Sequence, residues 1–479
     1  MPTWLNTRRI VLVLGFGAVL AAVIQVALDA DLLVLLLALL SISCGLFGFW
    51  LFGVNNLAGW VCLMYTTGNV LIAFYAKTIF LQPLDSNLTG PLASFTIQAI
   101  CCFAMLLALI LTTWIGVGRP LMPPITDLTT LRFVSNWCLV IGFAFQILQT
   151  VLGRQGDSSF GGLNVLGGLV YLGIIARTAL VMQRSDGRRI LDPILIVAIG
   201  ACTLSGVLST GKSETSIPSL CFIATILFFK GKLPWRYVAA VTAGVLLFVT
   251  IAPIMLTFRY MGLRNMPLDR EIETFEYMLP SLLNRDELAL LAGQHSQMKS
   301  VNYNYYGNHE GQLILGRFSS IQQIDPIIGA VQMRGPIGGD VIVDGFRASI
   351  PKTLDPDKPT AAQGFTVIKS LGIYRGGGPR PTVPLAAVVF AAYGIWGVIL
   401  IPFATFLVYL LLLKKLCWDI RGNIFAIFIL ACQVSAIHSA ELQHFAEYVF
   451  RDLPLLAAIC LIMQKVAYYL TVRKREFAN

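Results

Sequence analysis

Two groups of residues in this 479-residue chain are of types that act on a charged substrate. The first is a set of cations, Lys212, Arg259, Arg317, Lys352, Lys358 and Arg451, standing in segments that separate long apolar runs. Such groups suit an anionic headgroup or a diphosphate, which Arg grips through bidentate, charge-assisted hydrogen bonds and Lys holds as a point charge. Arg154, Arg264, Arg334, Arg347, Arg375 and Arg380 stand in comparable segments. For Arg264, Arg270 and Arg285 the acidic neighbours Asp269, Glu271, Asp286 and Glu287 favour plain ion pairing. The second group is the run from His438 to Pro454, H-S-A-E-L-Q-H-F-A-E-Y-V-F-R-D-L-P. On a helix His438 and Glu441 are i and i+3 neighbours, so the carboxylate orients the imidazole and raises its basicity, as a general base requires. The alternative is a packing or headgroup-anchoring role at a membrane edge. His444 lies about 120° round a helix from His438, too far for a shared metal ion, and no metal or cofactor is expected.

Gly206-Val-Leu-Ser-Thr-Gly211-Lys212-Ser213 fits the pattern G-x-x-x-x-G-K-S of phosphate-cradling loops. That loop needs a buried strand before it and a helix after it in a parallel sheet. Here the segment closes one apolar run and opens the next, so the nucleotide reading is set aside. Lys212 then stands near the start of a helix, where a cation and free N–H groups hold a phosphate, or where a lysine merely snorkels.

These residues must be positioned by membrane helices. Hydrophobic residues make up 56% of the chain and charged residues 13%, about half the charge of a typical soluble protein. A net charge of +10, confined to short segments between apolar runs, is a topology signal, and no nucleic-acid partner is expected. A span takes about 20 apolar residues. On that measure about twelve spans begin near Ile10, Leu32, Leu57, Phe95, Phe133, Val165, Ile190, Ser216, Tyr237, Pro384, Asn423 and Leu455. The run over 384–413 is long enough to be tilted or broken. The clusters Arg8–Arg9, Arg119 with Arg132, Arg184 with Arg188 and Arg189, Lys230 with Lys232 and Arg236, Lys414 with Lys415 and Arg421, and Arg473 to Arg475 then fall on one side, marking it cytoplasmic. Both termini are expected inside and one dominant loop outside. The expected division is residues 1–258 as nine spans, 259–382 as the large outer loop and 383–479 as three spans. The first apolar run is long enough to act as an anchor and is not followed by an A-x-A-like cleavage site. The ten cysteines lie in or beside apolar runs, which predicts core packing.

Within the loop, residues 269–291 read as two short amphipathic helices split before Pro280. Residues 312–331 set Leu313, Ile314, Phe318, Ile321, Ile324, Ile328 and Val331 at helical spacing, with Arg317 at the stripe's edge. Helices of this kind form either a lid at the interface or a small cap without chemistry. Beyond Gly335 the Gly and Pro content predicts an irregular loop. A transporter built from inverted repeats would show matching halves and mid-membrane polar groups, whereas this pattern places its cations outside.

Three motifs carry a family resemblance. Ser209-Thr210-Gly211-Lys212-Ser213 is similar to a small-Gly-Arg segment opening a helix, with Lys212 in the arginine's place. Arg317-Phe318-Ser319, followed by Ile350-Pro351-Lys352-Thr-Leu-Asp-Pro-Asp357-Lys358-Pro359, is similar to a Pro-Arg-x-x-Trp-Pro-x-Lys-Pro pattern, with Lys352 for arginine and no tryptophan. Tyr393-Gly394-Ile-Trp-Gly397 follows the loop. In these residues the chain resembles the bacterial O-antigen and exopolysaccharide repeat-unit polymerases of the Wzy type and the related O-antigen ligases. The resemblance implies an all-α polytopic fold, GT-C-like, in a bacterial inner membrane with the large loop periplasmic. It implies a metal-free glycosyltransferase that moves a glycan from undecaprenyl diphosphate to another lipid-linked repeat unit, in the company of a flippase and a chain-length regulator. A ligase would use a lipid A core as acceptor. The resemblance implies Lys212, Arg259 and Arg317 at the diphosphate, Lys352, Lys358 and Arg451 in support, and His438 or Glu441 as base.

Overall fold

The computed structural model describes residues 6–152, 164–208, 212–229, 273, 305–306, 320–350, 354–357, 363–373, 383–439 and 441–476. Their regular secondary structure is helical, and the β pairing among them is a single bridge between Asn56 and Asp419. The helices are α1 (Thr7–Ala27), α2 (Leu32–Phe52), α3 (Leu57–Thr66), α4 (Ile72–Ile79), α5 (Pro91–Trp114), α6 (Leu128–Leu152), α7 (Asn164–Gly167), α8 (Leu169–Arg184), α9 (Pro193–Leu208) and α10 (Lys212–Phe229). After the loop's first part come α11 (Ile321–Arg334), α12 (Asp340–Arg347), α13 (Gln363–Ser370), α14 (Leu385–Leu416), α15 (Ile424–Ser439), α16 (Leu442–Glu447) and α17 (Leu453–Glu476). π-helical turns at Thr67–Leu71 and Tyr448–Asp452 join α3 to α4 and α16 to α17.

The apolar runs become helices because nothing else satisfies the backbone in hydrocarbon, and their starts are marked locally. Side chains of Asn6, Asp31 and Asn56 accept from the first-turn N–H groups of α1, α2 and α3, and Pro91 opens α5. Six described helical runs are long and apolar enough to cross a membrane: Thr7–Ala27, Leu32–Phe52, Leu57–Ile79, Pro91–Trp114, Leu128–Leu148 and Leu385–Leu416. Outward-facing Leu12, Phe16 and Val23 on α1, and Trp114 on α5, are exposed, as suits a lipid solvent. Length and composition are those of a multi-pass membrane protein. The expected run near Tyr237 and the amphipathic pair at 269–291, residue 273 apart, lie outside the described residues.

Close packing holds the bundle together. A Cβ at Gly142 would stand 2.4 Å from the Val170 nitrogen, and one at Gly173 would stand 2.9 Å from the Leu139 nitrogen, so α6 and α8 meet backbone to backbone. One end of the bundle is tied by Lys414 Nζ donating to the Thr112 and Ile115 carbonyls and by Asn423 Nδ2 donating to the Met122 carbonyl. The opposite end carries residues 81–90, Tyr305, Tyr306, α11, α13 and α16.

One expectation needs amendment and one is met. The Gly-rich stretch after Gly335 is interrupted by α12, with Val341 and Ile342 buried, and by α13; the described residues between and after these helices form turns and irregular backbone, and residues 374–382 lie outside the described residues. A buried apolar face overrides the local Gly signal in α12. The long run after Pro384 is broken, since Gly394 has φ +62 and ψ −147 inside α14, a backbone state that only glycine adopts readily. The break frees the Ala391 carbonyl, which accepts from the Ile337 N–H of the loop at 2.9 Å.

Candidate functional site

The chain turns at the loop-bearing end between α15 and α16. Helix α15 ends at Ser439, and Glu441 has extended backbone angles as the residue before α16. His438 and Glu441 therefore belong to two helices, and the single-helix geometry expected for them is not formed. The backbone of His438 lies in α15; its side chain is outside the described residues. The imidazole paired with Glu441 belongs to His444, whose Nδ1 stands 3.0 Å from Glu441 Oε2. The carboxylate is 2% exposed and the imidazole 51% exposed. Through this hydrogen bond and the nearby carboxylate charge, opposed by burial, His444 titrates above the ordinary histidine range. Nε2 has no partner among the described residues. A neutral imidazole whose Nδ1–H is held by a carboxylate presents the Nε2 lone pair, the geometry of a general base.

The loop locks onto this turn through α13. The Gly364 N–H donates to Glu441 Oε1 at 3.1 Å. The Gln363 N–H donates to Gln443 Oε1 at 2.7 Å, and the Gln443 N–H returns a bond to Gln363 Oε1 at 2.9 Å. Gln363 Nε2 donates to the Val341 carbonyl of α12. First-turn N–H groups lack partners within a helix, and here side chains some 80 positions on supply them. Glu441 thus holds both His444 and the start of α13.

Arg451 sits in the second π turn, a feature frequent at functional sites. Its Nε donates to Asp452 Oδ1 at 2.7 Å and its Nη2 to Glu447 Oε2 at 3.4 Å, while Glu447 Oε1 accepts from Gln443 Nε2. Burial pushes the Asp452 carboxyl upward, with Arg451 pulling the other way. The Tyr409, Phe445 and Tyr448 rings pack around this turn. Arg451 is accordingly held by two acids, and a phosphate would have to compete with them. Other expected outward cations are also engaged: Arg347 forms a bidentate pair with Asp355 at 2.9 Å, and Arg334 donates to the Leu371 carbonyl at 2.6 Å.

Lys212 begins α10, but its side chain is outside the described residues, as are Arg259, Arg317, Lys352 and Lys358. Ser320, which ends the run containing Arg317, lies inside the bundle, its hydroxyl within reach of the Asn69 carbonyl and Gln98 Oε1 at 3.2 and 3.3 Å. Gly206 is helical, in α9, so the strand that a phosphate loop requires is not what precedes Lys212. Arg177 pairs with Asp192 and reaches Asn136, a structural tie between α8 and its neighbours.

Three engaged residues escaped sequence reasoning. His444 carried a signal, since Glu441-x-x-His444 has the same spacing as His438-x-x-Glu441. Asp325 breaks the apolar stripe of α11; its carboxylate accepts from the Thr89 and Gly90 N–H groups and the Thr89 and Ser94 hydroxyls. Lys77 is fully buried, donating to the Ser86 carbonyl and hydroxyl, with its ammonium over the Tyr305 ring. Nothing in its apolar surroundings announces those partners.

No family model matches the chain, and no curated protein or solved structure matches it. Fold and site together define an all-helical protein of multi-pass membrane type, with a carboxylate–histidine pair and a carboxylate-held arginine under docked loop helices.

Proposed function

We propose that this protein is a glycosyltransferase of the bacterial inner membrane, moving a glycan from undecaprenyl diphosphate onto a hydroxyl of another lipid-linked repeat unit. The observation that carries this reading is the Glu441–His444 pair at the loop-bearing end. His444 Nε2 takes the proton of the acceptor hydroxyl, the hydroxyl oxygen bonds to the anomeric carbon, and the bond from that carbon to the diphosphate oxygen breaks. Undecaprenyl diphosphate leaves with the electron pair. A base contributes about 10²–10⁴-fold to such a step, and developing negative charge calls for cations. Lys212, Arg259 and Arg317 take that role by resemblance, with Lys352, Lys358 and Arg451 behind them. Glu441 is the positioning residue. In the full topology about twelve spans, counted at about 20 residues each, place both termini in the cytoplasm and the loop in the periplasm.

The test is reconstitution in lipid vesicles with the native undecaprenyl-diphosphate oligosaccharide, wild type beside Arg317→Ala, Lys212→Ala and His444→Ala. A ladder of repeat multiples that the folded variants lose is the expected result. Transfer only to an added lipid A core makes the protein a ligase. With neither product formed, the catalytic reading falls and lipid-glycan transport takes its place.

A further inference from the structure

A second feature at the loop-bearing end is a cavity of about 810 Å³ between residues 87–90, α11 and the end of α13. This is the size of an ordinary small-molecule site. Asn87, Thr89, Gln332 and Arg334 stand exposed around it, and the buried Gln322 reaches it from α11. Leu88, Ile328 and Ile373 supply apolar wall. Amide and hydroxyl groups alternating with short apolar stretches match a sugar, whose hydroxyls need both donors and acceptors. Thr89 and Arg334 already bond Asp325 and the Leu371 carbonyl, but the guanidinium has further N–H donors and the Gln332 amide is exposed. An acyl chain laid over these would desolvate them with no bond in return, which is costly.

The cavity is joined to the Glu441–His444 pair by α13. Gly364, in the first turn of that helix, donates to Glu441, and Arg334 grips the Leu371 carbonyl just beyond its last residue. Eight residues at 1.5 Å each make α13 about 12 Å long. The Asp325 carboxylate pins the cavity's opposite wall by holding Thr89, Gly90 and Ser94 to α11. Both walls are thus set by buried or charge-assisted bonds.

We propose that this cavity is a glycan subsite that holds a sugar unit of the lipid-linked substrate about one α13 length from the reacting hydroxyl. The assignment rests on the glycosyltransferase reading. It gives the enzyme remote contacts with which to select its own repeat unit and align it with the base.

Gly329 supplies the test. It is a helical residue lining the cavity, and a Cβ there meets nothing within 4 Å, so Gly329→Phe fills the space without straining the backbone. The probe is the oligosaccharide released by mild acid from the producing cell's own surface polysaccharide, titrated calorimetrically into the full-length protein in nanodiscs. Saturable binding by wild type and Gly329→Ala is expected, weakened at least ~10-fold in Gly329→Phe and several-fold in the exposed-site variant Gln332→Ala. His444→Ala should bind as wild type does while losing transfer. Equal binding by wild type and both Gly329→Phe and Gln332→Ala overturns the subsite, even if transfer still depends on His444. Loss of sugar binding in Gly329→Phe with transfer intact in His444→Ala keeps the subsite and removes the base. If undecaprenyl phosphate without sugar saturates the cavity and Gly329→Phe abolishes that instead, the cavity takes lipid and the proposal fails.

Discussion

Glu441 and His444 meet at 3.0 Å within one helical turn, the carboxylate buried and the imidazole half exposed. A buried carboxylate beside a solvent-facing imidazole fixes the ring while leaving its second nitrogen accessible. The same carboxylate receives the Gly364 N–H of the loop helix, so the orientation of the base and the docking of the loop depend on one side chain.

Replacing His444 by Ala should lower transfer by about 10²–10⁴-fold with little change in substrate affinity. Glu441→Gln should lower it less and shift the pH profile. Because the hydrogen bond to Glu441 holds His444 above the ordinary histidine range, kcat/KM should rise through that raised value in wild type. In Glu441→Gln the limb should move to lower pH. Vesicle assays across pH would read both; an unmoved limb would assign Glu441 to loop docking alone.

The same pair predicts a stability trend. A histidine whose pKa is raised by folding binds its proton more tightly in the native state. Its contribution is fully present below the unfolded histidine value and is lost as pH rises through the native one. The wild type minus His444→Ala difference in thermal midpoint should therefore shrink from mildly acidic to mildly alkaline pH. A constant difference would mean that the imidazole acts by packing.

Asp325→Ala should leave the Thr89 and Gly90 N–H groups without their acceptor and detach α11 from the start of α5. A loss of about 2 kcal/mol is expected from the missing cap and the unpaired donors. It should appear as a lower thermal midpoint and as faster proteolysis between residues 320 and 350 in detergent. Proteolysis at the wild-type rate would show that other contacts hold the loop.

Gly394→Ala tests the break in α14. With φ +62 and ψ −147, alanine there costs about 1–3 kcal/mol, and straightening the helix would take the Ala391 carbonyl from Ile337. Either response predicts a lower thermal midpoint together with reduced transfer, since Ile337 leads into α12 and α12 packs on α16. A variant of wild-type stability and activity would make the break incidental.

Much of the scaffold was legible in advance because a membrane helix is specified by its own run length. The apolar stretches from Ile10, Leu32 and Phe95 became α1, α2 and α5, and the period of Ile321, Ile324, Ile328 and Val331 became the buried face of α11. The run after Pro384 was marked for a tilt or a break by its length, while the place of the break, Gly394, was set by the tertiary structure. Run length and period are local, set by residues a few positions apart.

What only the tertiary structure decided is which polar groups meet. His438 and His444 have equal spacing from Glu441, and the choice between them depends on the chain leaving α15 at Ser439. That turn places Glu441 against a loop 77 positions away. Asp325 reads as a flaw in an apolar stripe until Thr89 and Gly90 arrive from 236 and 235 positions away. Arg451 is the contrasting case, since Glu447 and Asp452 stand four and one positions from it and that pairing was open to a local reading. Hydrogen bonds and ion pairs act over about 3 Å, so partners distant in the chain follow from the path of the backbone, which no short stretch of sequence contains.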